Sequence, residues 1–127
     1  MAGLDEGAPI FVQIAERLAE EIADGGLAEG ERVPSTNELA AFYRINPATA
    51  AKGISMLTDD GLVEKRRGIG MFVAAGARAQ LLAERRKRFA ERYVEPLVSE
   101  ASRLGIDANE LVALIRESGY AQEGARP

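Results

Sequence analysis

The first apolar pattern along the chain has the period of an α-helix. Ile10, Ile14, Leu18 and Ile22 recur at every fourth position. This spacing puts four aliphatic side chains on one face of a helix. Pro9 suits the first turn, where its missing N–H costs nothing, and a pair of glycines further on predicts the end. We therefore expect an amphipathic helix near the start of the chain.

Two shorter helical patterns follow, separated by a short turn. Ser35 and Glu38 stand at the spacing of a capping box, so a helix should begin there. Leu39 and Phe42 are the expected apolar anchors of this helix. The next helix opens at Pro47, because proline is well tolerated in a first turn. Two short helices joined in this way are typical of a helix-turn-helix, although the spacing alone is weak evidence.

The helix after Pro47 is predicted to have one buried side and one exposed side. Ala50, Ile54 and Leu57 recur at i, i+4 and i+7 and mark the buried stripe. Three residues with small polar, small apolar or cationic side chains fall on the opposite side: Ala48, Thr49 and Lys52. A helix with such an exposed face is suited to a nucleic-acid groove.

The next stretch of the chain predicts a β-hairpin with a cationic tip. Residues 62–66 and 71–73 read as two short strands, and residues 67–70 form the loop, where glycine permits positive φ. The Gly-Xaa-Gly of this loop is not a dinucleotide-binding fingerprint, because it lacks the third glycine and joins two strands. The hairpin therefore looks like a wing beside the helix-turn-helix.

From Gly76 the pattern changes to a long helical segment. Pro96 should kink or restart it, since proline removes a backbone donor. Asp107 with Glu110 predicts the cap of a final helix, and residues 122–127 should be disordered. One stripe of large apolar side chains runs along the long segment: Leu82, Phe89, Tyr93 and Leu97.

Composition removes several classes of function. Cysteine and histidine are both absent, which excludes thiolate sites and removes the commonest general base and metal ligand. Asp59 and Asp60 are adjacent, but they fit a polar helix end better than an acid–base pair. No catalytic activity, cofactor or metal is therefore expected. No apolar run is long enough for a membrane span and no signal peptide is visible, so we expect a cytoplasmic protein.

The net charge of −4 conceals an uneven distribution. Residues 1–31 carry one arginine against eight acidic residues, whereas residues 32–73 carry six cations against four anions. Local charge matters more than the total for attraction to phosphate. The total argues weakly against a nucleic-acid partner, and the cationic middle of the chain weakens that objection.

Most of the chain resembles the GntR family of bacterial transcription regulators, and within it the short YtrA-like subgroup. The stretch PIFVQIAERLAEEIADGGLAEGERVPSTNELA resembles the family's opening helix, loop and second helix. The stretch INPATAAKGISMLTDDGLVEKRRGIGMFV resembles its recognition helix and wing, with the Asn-Pro opening of the YtrA-like group. The combination in this order is specific, whereas any one piece alone would not be.

This resemblance implies a mainly α fold, with a winged helix-turn-helix domain at 1–76 and a small all-helical dimerisation region at 77–127. It implies a homodimer that binds an inverted-repeat operator in double-stranded DNA and regulates transcription as a repressor. Family members with an effector pocket have a much larger C-terminal domain, so no small-molecule effector is assigned.

The candidate DNA contacts lie on three segments. They are Ser35, Thr36 and Asn37 on the second helix; Asn46, Ala48, Thr49 and Lys52 on the recognition helix; and Arg66, Arg67 and Gly68 on the wing. Position 37 departs from the family, which usually places arginine there. Asparagine can still bond a phosphate or an adenine edge, but without charge.

Each candidate also has a plainer interpretation. Ser35 and Asn46 could simply cap their helices, and the wing could be a solvated hairpin. For Lys52 we favour contact with a guanine edge or a phosphate. For Arg67 and Gly68 we favour entry into the minor groove, because glycine permits close approach and arginine senses the negative potential there.

The C-terminal stripe and the acidic total charge leave two further alternatives. The stripe could be intramolecular core, but the N-terminal domain should close its own core, which favours a dimer interface. The rival function is a winged-helix protein-interaction module that has lost DNA binding. The run of four cations at 85–88 spans most of a helix circumference, so a solvated face or inter-subunit salt bridges explain it better than DNA contact.

Overall fold

Leu4 and residues 7–120 are described by the computed structural model, and they fall into two compact units. Unit 1 extends to Glu84, and unit 2 begins at Arg85. The tail for which disorder is predicted lies outside the described residues.

Unit 1 begins with three helices, α1 (Ile10–Asp24), α2 (Thr36–Tyr43) and α3 (Pro47–Asp59). Gly25 ends α1 with φ 91°, a left-handed conformation that glycine adopts without strain. The predicted start of α2 is confirmed, because Ser35 and Glu38 form a complete capping box. Pro47 lies in the first turn of α3 as predicted.

The wing consists of two antiparallel strands, β1 (Val63–Arg66) and β2 (Gly70–Val73). Val63 pairs with Val73, and Arg66 pairs with Gly70, so the tip is a three-residue loop. The segment before α2 extends this sheet, since Arg32 forms a bridge to Phe72. The wing is thereby anchored to the chain between α1 and α2.

The core of unit 1 is aliphatic and continuous. Its largest fully buried side chains are Ile14, Ile22, Val33 and Val73, which come from α1, the segment before α2, and β2. The predicted stripe of α3 is confirmed, because Ala50, Ile54 and Leu57 are all buried in the same cluster. The helices and the wing therefore share one hydrophobic core.

Two expected core positions are instead at the surface. Ile10 is 41% exposed and Phe42 is 65% exposed, so Phe42 is not an anchor of α2. Leu39 and Ala40 take the buried positions, and Tyr43 packs partly against the core. In a helix of only eight residues, a spacing of three does not distinguish a buried face from its neighbour.

Gly53 fixes how closely α1 approaches α3. A Cβ placed on this glycine would lie 2.9 Å from the carbonyl oxygen of Phe11 and 3.2 Å from the Ile14 side chain. A side chain there would have to push the backbone of α1 away, because a carbonyl oxygen cannot rotate aside. This glycine therefore sets the position of the recognition helix.

The long helical segment begins as α4 (Ala77–Phe89), whose first turns belong to unit 1. Ala77 and Leu81 are buried in the unit 1 core. Arg78 Nε donates to the carbonyl oxygen of Ala23, and Gln80 Nε2 donates to that of Asp60. The boundary predicted after residue 76 stays a prediction, and the break between compact units falls eight residues later.

Unit 2 continues through a π-helical turn (Ala90–Val94) into α5 (Glu95–Arg103) and then α6 (Ala108–Glu117). The N–H of Glu95 bonds to the carbonyl oxygen of Ala90, five residues earlier. Pro96 then lies in the first turn of α5, so the predicted restart of the helix is confirmed. The π-helical turn thus lies directly before the proline, where the chain passes from α4 to α5.

Unit 2 buries very little of its apolar surface. Within residues 85–120, Ala101 is the one hydrophobic residue that is buried. Among the described residues, no helix is both long and apolar enough to cross a lipid bilayer.

Candidate nucleic-acid interface

The start of α2 presents three of the predicted contact residues. Ser35 and Thr36 are half-buried, and Asn37 is exposed. The Ser35 N–H donates to Glu38 Oε1 at 2.7 Å, and Ser35 Oγ accepts from the Glu38 N–H at 3.1 Å. The capping function of Ser35 is therefore in use, while the side chain of Asn37 remains at the surface.

Glu38 is held ionised by this cap. The hydrogen bond from the Ser35 backbone, followed by that with its side chain, lowers the pKa of Glu38 below its ordinary 4.5. Arg32 adds a weaker lowering of the same pKa. The Glu38 carboxylate and the Ser35 hydroxyl thus close the first turn of α2 together.

The turn between α2 and α3 contains a cation in an uncommon conformation. Arg44 has φ 59° and ψ 52°, the left-handed region that glycine or asparagine usually occupies, and it ends α2. Its side chain is exposed between the two helices of the helix-turn-helix. Arg44 is one of the six cations of residues 32–73, and no pattern in the sequence predicted it as a candidate contact.

The start of α3 is exposed and ordered. Asn46 Oδ1 accepts from the Ala48 N–H at 2.7 Å, so the capping interpretation of Asn46 is satisfied, and its NH₂ group is left for another partner. Ala48 is exposed, and Thr49 is half-buried. These positions lie where a helix N-terminus attracts phosphate.

Lys52 extends from the exposed side of α3 towards α1. Its Nζ atom lies 4.3 Å from the centre of the Phe11 ring. At an exposed site such a cation–π contact is worth about 0.5–1 kcal/mol. A hydrogen bond to a charged group contributes about 1.5–3 kcal/mol, so a phosphate would compete successfully for this ammonium.

The wing carries one restrained arginine and one free arginine. The Arg66 guanidinium lies 4.2 Å from the Phe72 ring centre, and its Nη2 is 3.4 Å from Glu64 Oε2. Arg67 begins the loop and has no ion-pair partner within residues 7–120. Gly68 follows with φ 76°, which lets the loop turn tightly at its tip.

Arg32 lies against the base of the wing. A Cβ placed on Gly70 would be only 3.0 Å from Arg32 Nε, so the guanidinium packs over this glycine. Its Nη1 is 3.9 Å from Glu38 Oε1, which links the wing to the cap of α2. Arg32 precedes the predicted second helix, and no local pattern in the sequence marked it.

The sequence-predicted contacts are therefore all placed on one compact unit, on α2, on α3 and on the wing. The predicted apolar stripe of the C-terminal segment is divided between the two units; its residues are Leu82, Phe89, Tyr93 and Leu97. Leu82 is partly buried and belongs to unit 1, whereas the other three lie in unit 2 and are 43–59% exposed. The Phe89 and Tyr93 rings contact each other, with their centres 5.6 Å apart.

Comparison with known proteins places this arrangement in a family. The profile of the bacterial regulatory proteins of the gntR family matches residues 11–73, from α1 to the end of the wing. A crystal structure of a GntR-family regulator from Bacteroides thetaiotaomicron is 30% identical, with a TM-score of 0.65. The similarity covers 85% of this chain and 94% of that one. The chain belongs to the GntR family.

Two other similarities bear on GntR-family function. The chain is 27% identical to a transcriptional repressor from Bacillus subtilis, YtrA, over 93% of this chain and 90% of that protein. The DNA-binding domain of AraR, in a crystal structure with its operator, is 30% identical with a TM-score of 0.52 and covers 56% of this chain and 87% of that one. The proteins from Bacteroides thetaiotaomicron and Bacillus subtilis are named as transcriptional regulators.

Proposed function

We propose that this GntR-family protein is a transcriptional repressor that binds an inverted-repeat operator in double-stranded DNA as a homodimer. The observation that carries the DNA-binding part is the set of exposed cations on unit 1. Arg44, Lys52 and Arg67 lie on the turn, the recognition helix and the wing, and none has an ion-pair partner among the described residues. Exposed cations on these three elements can pair with the phosphate groups of a DNA backbone.

In this proposal the recognition helix reads bases and the wing reads shape. Lys52 leaves the Phe11 ring and reaches a guanine edge or a phosphate, while Ala48 and Thr49 approach the groove from the first turn of α3. Arg67 enters the minor groove, and Gly68 allows the backbone to approach closely. The similarity to the operator-bound domain of AraR supports this assignment.

The start of α2 positions the protein on the DNA backbone. The N–H groups at the start of a helix favour phosphate, and Ser35, Thr36 and Asn37 lie there. Asn37 supplies hydrogen bonds without a positive charge, so this part of the interface should add little to the salt dependence. Arg44 ends α2, seven residues after Asn37, and supplies a cation that position 37 lacks.

Dimerisation is assigned to unit 2. Phe89, Tyr93 and Leu97 are each more than two-fifths exposed, and this unit has almost no core of its own. Exposed apolar surface of that kind is characteristic of a subunit interface. Leu82 would add to the interface only with its remaining exposed surface, since it is partly buried.

Operator binding by single-cation variants tests the proposal. The duplex is the one selected from a random library by the wild-type protein. Lys52→Ala should cost about 1–3 kcal/mol and relax the base preference at one position of each half-site. Arg67→Ala should weaken binding with little change in preferred bases beyond the A·T-rich flanks.

Arg116→Ala is the matched control, because it removes one exposed cation from α6, away from the proposed DNA contacts and from the cation run at 85–88. This variant should bind as the wild type does. If Lys52→Ala and Arg67→Ala also keep wild-type affinity while folded by circular dichroism, DNA is not read by these elements. Failure to select any duplex would instead support the protein-interaction module.

A further inference from the structure

Unit 1 contains a cleft whose lining includes none of the proposed DNA-contact residues. The α1–α2 cleft, as we call it, has a volume of about 480 Å³ and lies between α1, the segment before α2, and α2 itself. Leu18, Val33 and Leu39 form its buried apolar floor. This volume falls within the range of small-molecule sites, and the lining combines an apolar floor with a few charged groups.

One wall of the cleft is made of two aromatic rings. Phe42 and Tyr43 contact each other at right angles, with ring centres 4.9 Å apart. Phe42 is 65% exposed, although it belongs to the type of residue that is usually buried. A pair of rings at right angles offers both an aromatic face and an edge to a ligand, and aromatic faces attract cations.

The mouth of the cleft carries an excess of negative charge. Glu21, Glu38 and Arg32 are its charged residues. Arg32 is 3.9 Å from Glu38, and the side chains of both are more than half exposed. Glu21 has no ion pair or side-chain hydrogen bond among the described residues. One carboxylate at the mouth is therefore uncompensated.

We propose that the α1–α2 cleft is a binding site for a small organic cation with an apolar body. The apolar body lies on Leu18 and Leu39, the cationic group faces the Phe42 ring, and Glu21 supplies the counter-charge. An anionic ligand is disfavoured because the two carboxylates outnumber the single guanidinium.

A ligand in this cleft would contact groups that also hold the DNA-reading elements. Glu38 closes the first turn of α2 through Ser35, and Arg32 packs over Gly70 at the base of the wing. A cation at the mouth competes with Arg32 for the Glu38 carboxylate. Occupation of the cleft is thereby linked to the start of α2 and to the wing, independently of whether DNA is bound.

Titration of the full-length protein with benzyltrimethylammonium, followed by amide NMR shifts, tests the site. We expect saturable shifts centred on Arg32, Phe42 and Gly70, with a Kd of about 1 mM, as befits a ligand of this size. Benzoate at the same concentrations should give no saturable shifts, because it reverses the charge on the same ring. Benzyl alcohol should bind more weakly than the cation.

Two variants and one control complete the test. Glu21→Gln and Phe42→Ala should each weaken benzyltrimethylammonium binding about two- to fivefold, as expected for loss of one exposed charge partner or one exposed cation–π contact. Both positions are exposed, so the fold should be kept. Glu20→Gln removes a neighbouring charge of α1 outside the cleft and should leave the affinity unchanged.

Absence of saturable shifts with benzyltrimethylammonium would overturn the proposal. Equal binding of benzoate or benzyl alcohol would also overturn it, since the cleft would then not select charge. If Glu20→Gln and Glu21→Gln weaken benzyltrimethylammonium binding equally, the general negative charge of α1 explains the binding and the cleft is not a specific site.

Discussion

The two units of this chain differ in how many of their apolar side chains are buried. Among the described residues, all the buried hydrophobic side chains except that of Ala101 belong to unit 1. Unit 2 has helices with strong caps, such as the box formed by Asp107 and Glu110, but it leaves its large apolar side chains in contact with solvent. Caps and other local sequence features specify where a helix forms, whereas burial of its apolar face requires packing against another element. We therefore expect unit 1 to be stable alone, and this contrast supports the proposal that a partner covers the apolar face of unit 2.

The largest effect should follow from separating the two units. A chain ending at Glu84 keeps Ala77 and Leu81 in the core and should fold as a monomer. Its affinity for a full inverted repeat should fall about 10²-fold or more, because two half-sites are no longer engaged by linked modules. Sedimentation and DNA-binding isotherms measure both effects.

A chain ending at Gly76 sharpens this comparison. It lacks Ala77 and Leu81 and also the Arg78 and Gln80 hydrogen bonds, so it should be less stable than the chain ending at Glu84. If the chain ending at Glu84 still sediments as a dimer, the interface lies in unit 1, and the assignment of unit 2 is wrong.

A single charge in unit 2 should affect association but not folding of unit 1. Leu97→Asp places a carboxylate on the exposed apolar stripe, and its burial at an interface without a partner costs several kcal/mol. We expect a monomer at concentrations where the wild type is a dimer. Ser99→Asp, on an exposed polar position of the same helix, should remain dimeric. If both variants remain dimeric, the apolar stripe is not part of the interface.

Gly53→Ala should affect unit 1 and leave association through unit 2 intact. Alanine gains about 1 kcal/mol over glycine in a helix, but here its Cβ meets the Phe11 carbonyl oxygen at 2.9 Å. Overpacking costs about 1–3 kcal/mol, so we expect a net loss of stability in urea denaturation. Gly26→Ala is the control, because its Cβ would lie at 3.6 Å from the nearest atom. Equal stability of the two variants would show that α1 and α3 are not in tight contact.

The smallest expected effect concerns the cap of α2. Ser35→Ala removes the side-chain hydrogen bond to the Glu38 N–H and should lower the free energy of unfolding by about 1 kcal/mol.

Because the pKa of Glu38 is lower in the folded state, its stabilising contribution is present above pH 4.5 and is lost as the pH falls through the folded-state value. Stability measured against pH should therefore fall less steeply in acid for Glu38→Gln than for the wild type. Parallel curves would contradict the assignment.

Local patterns in the sequence predicted most of the fold. The capping boxes, the end of α1 at its glycine pair and the restart of the helix at Pro96 are confirmed, because each depends on neighbours within four residues. The exposure of Phe42 and the close contact at Gly53 were missed, since they depend on which residues approach from another helix. The π-helical turn before Pro96 gave no sequence signal of its own.

The candidate contacts were predicted unevenly. Residues on regular elements, such as Lys52 and Arg67, could be assigned from a helix face and a hairpin tip. Arg44 was missed because its position depends on a left-handed turn. The packing of Arg32 against the wing was also missed, because it depends on a residue distant in the sequence. The DNA-contact and dimer-interface residues remain predictions.

The central claim is that unit 1, which has its own hydrophobic core, binds DNA. Unit 2, which leaves its apolar side chains exposed, forms the dimer. Sedimentation of a labelled inverted-repeat duplex, selected by the full-length protein, tests it most directly at several salt concentrations. We predict two chains per duplex and a loss of affinity of about 10²-fold or more between 50 and 200 mM salt, as phosphate contacts require. One chain per duplex at full affinity, or equal binding to every duplex, would contradict the account.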